Sequence, residues 1–352
     1  MNFSELITLA IDLGASDLHL SSGRPASCRV DGKMMLLNDI PLLPADIKEI
    51  SDAIMTEHQR AILSADGQVD FAYSIAQKGR FRINVFYQRG TAALVARILN
   101  LTIPSAQQLG IPLSVVDIIH KRRGLVLVTG ATGSGKSTTL ACLVDMINKT
   151  YPYHVITLEE PIEYLHHHNK SIVNQRELGD DFKSFSSALR AALRQDPDVI
   201  LVGEMRDLDT ISIAVTAAET GHLVFSTLHT VGASNTIDRI IDVFPPYQQQ
   251  QIRTQLAEVL ECVVSQQLLP KQSGHGRVAA MEVMLANSAI RSHIRDGKTF
   301  QIQTVLQTNR KAGMQTMDDA LYDLYLKGDI TQESAISFAQ NAQNLTRRIS
   351  GF

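Results

Sequence analysis

The chain has 352 residues, 44% of them hydrophobic, and a formal net charge of −3. That length suits two domains with sizeable cores, and the mild acidity argues against a global basic field of the kind that holds nucleic acid. Cys28, Cys142 and Cys262 lie far apart, which argues against a disulfide framework or zinc ribbon and points to a reducing compartment. No apolar run approaches the roughly 18 residues of a membrane span. Glu5 and Asp12 interrupt the first apolar stretch, so no signal peptide is expected there. The expectation is a cytoplasmic protein without a membrane anchor of its own.

In chain order, Ser4 is a candidate cap for a helix with Leu6, Leu9, Ala10 and Leu13 on its apolar face, closing at Gly14. Ala15 to Leu20 alternates like a strand. Asp31-Gly32, between Cys28-Arg29-Val30 and Lys33-Met34-Met35, is a hairpin signal. Residues 44–64 read as helical from Pro44. Val69 to Ile75, Phe81 to Tyr87 and Ala92 to Leu99 read as strands, parted by turns near Gly79 and Gly90. This stretch is expected to form an α+β domain, an antiparallel sheet flanked by helices. Pro104, Gly110 and Pro112 mark a connector. Beyond it, strand candidates at 124–129, 154–158, 199–203 and 222–227 alternate with helical runs, the α/β pattern of a mostly parallel sheet. From Gln251 the chain reads as chiefly helical, through 251–268, 287–295, 299–307, 318–327 and 331–344.

The strand candidate ending at Thr129 runs into Gly130-Ala131-Thr132-Gly133-Ser134-Gly135-Lys136-Ser137-Thr138, and a helix-forming run follows. That is the phosphate-binding pattern G-x-x-x-x-G-K-[ST] in its strand–loop–helix setting. The glycines let successive N–H groups face one anion, and the new helix adds positive potential at its N-terminus. Lys136 is expected to reach the β- and γ-phosphates of ATP, and the Ser137 hydroxyl to hold Mg²⁺.

Such a loop needs carboxylates nearby. Val199-Ile200-Leu201-Val202-Gly203-Glu204 reads as a buried parallel strand ending in an acid, where open α/β sheets face their ligands. Glu204 is the candidate for the metal, directly or through its water. A second run ends in Glu159-Glu160-Pro161-Ile162-Glu163, and Glu163 is the candidate to polarise the attacking water. His222 and His229 close the two ends of one strand, too far apart for one metal, and are read as groups that sense or donate to phosphate. His166-His167-His168 is expected to be an exposed loop.

Leu193 to Asp207 resembles the signature of the type II/IV secretion-system ATPases. Thr157 to Glu163 resembles their aspartate box, with Glu160 where the family usually has Asp, and Gly221 to His229 their histidine box. Gly14 to Leu20 resembles the start of their PAS-like N-terminal domain. Ala289-Ile290-Arg291-Ser292-His293-Ile294 resembles a motif of the pilus-retraction members, with Ser292 and His293 in place of Asn and Leu. The missing cysteine quartet also fits that branch rather than pilus-assembly or type II secretion relatives. The resemblance implies a PAS-like domain at 1–100, a linker at 101–120, and a RecA-like P-loop ATPase domain with a helical C-terminal region at 121–352. It implies a homohexamer that uses ATP and Mg²⁺, with Arg82 and Arg97 approaching the phosphates at closed interfaces. It also implies an inner-membrane pilus platform protein as partner, a possible paralogous ATPase, a place at the cytoplasmic face of the inner membrane, and no nucleic acid. The Ala289–Ile294 motif suggests coupling to pilus withdrawal, so that Arg291→Ala would spare basal hydrolysis and stop retraction.

Overall fold

A computed structural model describes residues 2–30, 32–76, 78–99 and 102–351. The chain divides into two compact units, Met1–Thr102 with Glu163–Leu165, and Ile103–Ile162 with His166–Phe352.

The first unit holds strands β1 (Asp17–Leu20), β2 (Pro25–Val30), β3 (Lys33–Pro41), β4 (Gln68–Ile75), β5 (Gly79–Gln88) and β6 (Thr91–Ile98). They form one sheet in the order β3-β2-β1-β6-β5-β4, with every neighbouring pair antiparallel. Alternation decides its faces: Phe81, Ile83 and Val85 of β5 are buried, while Arg82 points outward and is exposed. The helix Phe3–Asp12 packs on the buried face, with Phe3 edge-on to Phe81 and Tyr73. Its cap is Asn2 rather than Ser4: the Asn2 side chain accepts from Glu5 N–H at 3.0 Å, and the Glu5 carboxylate accepts from Asn2 N–H at 3.1 Å. Leu6, Ile7 and Ala10 are buried, and Leu9 and Leu13 stay exposed. The expected helix over 44–64 is two helices, Pro44–Ile54 and Glu57–Asp66, because Met55 is extended and Thr56 caps the second. β2 and β3 pair as the hairpin signal predicts; Asp31 itself lies outside the described residues, as does Leu101 at the start of the expected linker.

The second unit holds β7 (Gly124–Thr129), β8 (His154–Glu159), β9 (Ile172–Glu177), β10 (Val199–Val202), β11 (Leu223–Leu228), β12 (Leu260–Pro270) and β13 (Arg277–Leu285). The sheet order is β13-β12-β7-β11-β10-β8-β9. All pairings are parallel except that of β13 with β12. Helices cover both faces, so β7, β10 and β11 are buried from end to end. The expected linker does not stand apart from this unit. It folds into short helices, and its Ile111, Val115, Ile118 and Ile119 join Val126, Leu140 and Leu143 in one apolar cluster.

Residues 251–268, expected as one helix, are instead the end of a helix and the start of a strand. The helix Pro246–Val259 stops, and β12 and β13 follow as an antiparallel pair that extends the sheet. Helices Met317–Leu326, Gln332–Phe338 and Ala342–Ser350 then cover Leu269 and Ala280 through Met317, Leu321, Ala335 and Leu345. Among the described residues no helix is long and apolar enough to cross a membrane.

Arg291, expected to act in coupling, is tied into this core. On the helix Ser288–Arg295 it donates to the carbonyls of Ala257 (2.7 Å) and Glu258 (2.6 Å), at the end of the preceding long helix. It also pairs with Glu261 at 2.9 Å, and Glu261 holds Lys121 at 2.9 Å. Arg291→Ala therefore leaves helix-end carbonyls and a partly buried carboxylate short of partners, a loss of about 1–3 kcal/mol. A thermal melt should record a lower Tm for this variant, and an unchanged melting curve contradicts the bracing role.

Candidate active site

The parallel sheet carries three strand ends to one place. β7 and β11 are in register from Gly124 with Leu223 to Thr129 with Leu228, and Val202 of β10 lies opposite Ser226. The residues that leave these ends, Gly130, His229 and Glu204, must therefore emerge side by side. Gly203 lets β10 close on β8, because a Cβ there would stand only 3.0 Å from the Leu158 carbonyl oxygen.

The loop after β7 turns on Gly130, Gly133 and Gly135, all at positive φ, and the helix Lys136–Thr150 starts directly from it. Two of these glycines are also required by space: a Cβ would sit 2.2 Å from the Gln266 carbonyl oxygen at Gly130 and 2.7 Å from Gln266 Nε2 at Gly135. Lys136 is buried, and its ammonium donates to the Gly130 and Ala131 carbonyls at 2.9 and 3.1 Å. Burial lowers its pKa, opposed by the nearby charge of Glu204. Ser134 Oγ is buried with no hydrogen-bond partner, inside the loop. An orphaned hydroxyl beside a buried ammonium and a helix N-terminus fits an anion binder. Thr132 is exposed on the loop, as are Ala131 and Ser137.

Glu204 meets this group from β10. Its Oε1 accepts from Arg206 Nε at 2.7 Å, and its Oε2 lies 3.4 Å from His229 Nε2. Burial raises its pKa, but the Arg206 hydrogen bond and the His229 and Arg206 charges outweigh burial and hold it below the usual carboxylate value. His229 Nδ1 in turn lies 3.4 Å from the Thr132 hydroxyl. Lys136, Glu204, His229 and Thr132 are thus one cluster. Ser137, at the helix start, and Glu204 offer hard oxygen donors, a set that fits Mg²⁺ rather than a softer metal.

His222 is not part of this cluster. β11 has six residues, so its two ends lie about 20 Å apart. His222 sits at the far end, where its Nδ1 bonds the Ala217 carbonyl at 2.9 Å and its carbonyl accepts from Gly124 N–H. There it lines a pocket of about 290 Å³ with Arg122, Tyr153 and Asp198. His166-His167-His168 is not simply an exposed loop either. His166 is half-buried, and burial pushes its imidazole down to about 4. Among the described residues no group of His, Cys, Asp or Glu has the makings of a metal cluster.

Glu163 falls with the first unit, in the segment between β8 and β9. Within that unit Arg82 and Arg97 stand opposite each other on β5 and β6, and Arg97 is also opposite Asp17 on β1. Both arginines are exposed, and Arg97 Nε is steadied by Asp17 at 3.1 Å. Sequence reading names the two arginines separately; the sheet register makes them neighbours.

Sequence reading misses Gln266 entirely. From β12 its amide bonds the Ser134 carbonyl at 2.7 Å and the Thr139 hydroxyl at 2.8 Å. No local signal marks it, because Glu261, Ser265 and Gln267 lie in the same stretch and only the fold buries Gln266.

The sequence profile of the family described as "Type II/IV secretion system protein" matches residues 2–293. The chain is 46% identical over 344 residues to a Pseudomonas aeruginosa protein described as the type IV pilus retraction ATPase PilT, covering 98% of this chain and 100% of that one. It is 47% identical over 318 residues to a twitching motility protein of Neisseria gonorrhoeae, covering 90% and 85%. Among solved structures, the crystal structure of the pilus retraction motor PilT with bound ADP matches with a TM-score of 0.93 and 51% identity over 99% of each chain.

Proposed function

Because this chain belongs to the type II/IV secretion system protein family, as a PilT-type ATPase that hydrolyses ATP, we propose that its work is the withdrawal of a type IV pilus. The observation that carries the chemistry is the meeting of Lys136, Glu204 and His229 at the phosphate loop. The backbone N–H groups of Gly130 to Thr138 bind the phosphates, and Lys136 offsets the charge that develops on transfer. Ser137 and Glu204 would hold Mg²⁺, which neutralises phosphate charge when bound. Glu163 orients the attacking water and accepts its proton. His229 is placed between Thr132 and Glu204, so it can register whether the loop is occupied. His222 has no role in this chemistry within one subunit.

The working assembly in this proposal is a homohexamer. Arg82 and Arg97 would serve the nucleotide of the adjoining subunit, and opening and closing at the interfaces would turn a platform protein at the cytoplasmic face of the inner membrane. A mixing experiment tests the arginines. Lys136→Ala subunits and Arg97→Ala subunits, each of low activity, should regain part of the ATPase rate when mixed, since some interfaces then hold one intact site. Mixed hexamers that form and stay inactive would place Arg97 within its own subunit or outside the chemistry. The retraction reading is tested by imaging labelled pili in cells that carry or lack the gene, and unchanged retraction in cells lacking it counts against the proposal.

A further inference from the structure

One amide on β12 grips the phosphate loop from outside. Gln266 is 3% exposed. Its Nε2 donates to the Ser134 carbonyl, and its Oε1 accepts from the Thr139 hydroxyl. Only this orientation of the amide serves both, because a carbonyl needs a donor and the hydroxyl can then donate back. The two partners lie on either side of the Gly135-Lys136-Ser137 turn, so one side chain spans the end of the loop and the first turn of the helix.

The trans peptide geometry gives this grip a consequence. The Ser134 carbonyl and the Gly135 N–H belong to one peptide plane and point in opposite directions. Holding the carbonyl toward β12 therefore aims the Gly135 N–H away from β12. Gly135 sits at φ +91°, and a glycine on one side of that plane opposes its rotation only weakly. The glycines that let the loop curve also leave its N–H groups free to turn. We propose that Gln266 is a positioning residue for the nucleotide, fixing the Ser134–Gly135 peptide so that its N–H stays directed at phosphate. Thr139 completes the device by orienting the amide of Gln266. The inference rests on the reading of Gly130–Thr138 as the ATP site and adds a residue from a different strand to it.

The test uses the full-length chain. Gln266→Met keeps the volume and removes both bonds. Gln266→Glu keeps the acceptor for Thr139 and removes the donor to Ser134. Each is compared with wild type for binding of a fluorescent ADP analogue, for KM and kcat with ATP, and for Tm. Gln266→Met should raise the ADP Kd and the ATP KM about tenfold, with kcat per folded subunit changed less than about threefold. Gln266→Glu should do at least as much, and it carries the test if the methionine variant does not fold. Thr139→Val alone should raise KM by a smaller factor and add nothing in the Gln266→Met background. A residue that only fills the core would lower Tm and the folded fraction and leave KM alone. That result, or additive effects of the two substitutions on KM, overturns the proposal. Failure of the wild-type chain to bind the ADP analogue would instead strike at the ATP-site reading.

Discussion

Lys136→Ala is expected to cut ATP turnover by a hundredfold or more, on the order of 3 kcal/mol of transition-state stabilisation. The size follows from where the charge sits. The ammonium is buried against two loop carbonyls and feels Glu204 nearby. In so dry a place one charge does far more than it would in water, and no other cation is built into the loop. Alanine leaves the glycine turns and the helix start intact, so the fold should survive. Phosphate release measured beside a thermal melt separates loss of chemistry from loss of structure. Near-normal turnover in a folded Lys136→Ala protein would contradict the assignment of the loop.

Glu204→Gln should bring a loss of similar size with a different signature. The substitution keeps the shape and removes the charge that faces Arg206 and His229. The Arg206 side chain is 68% exposed, so the broken pair should cost little stability, about 0–1 kcal/mol. Binding of ADP should stay within a few-fold, because the loop that holds the phosphates is untouched, while turnover falls roughly a hundredfold. Glu163→Ala offers the comparison: if it acts on the water, it loses turnover and still binds Mg-ATP tightly. A titration in which Glu163→Ala no longer binds nucleotide would end that division of roles.

The loop was legible because its chemistry is written locally. Glycine spacing, an apolar strand before it and a helix after it are all read from one stretch, and the sheet then delivers Glu204 and His229 to the same edge. The same sheet separates the two histidines as their spacing along one strand implies: parallel strands present their C-terminal ends to the ligand, and His222 precedes β11. The stretch 251–268 misled because a helix and a buried strand follow one another without a breaker. Val259-Leu260 and Val263-Val264 suit either state, and only the pairing with β7 and β13 decides. β9 went unread because it is an edge strand of mostly polar residues, Ile172-Val173-Asn174-Gln175-Arg176-Glu177. Gln266 and the bracing by Arg291 depend on partners thirty or more residues away, which no local pattern records.

The link between this ATPase and pilus withdrawal is tested most directly in living cells. Surface pili labelled with a fluorophore are filmed in a strain lacking this gene, resupplied with either the wild-type chain or Lys136→Ala. Retraction events should be rare in the deletion strain, return with the wild-type chain and stay rare with Lys136→Ala made at the same level. Retraction that is unaffected by the deletion, or that Lys136→Ala restores in full, would contradict the proposal that ATP turnover at this loop pulls the pilus in.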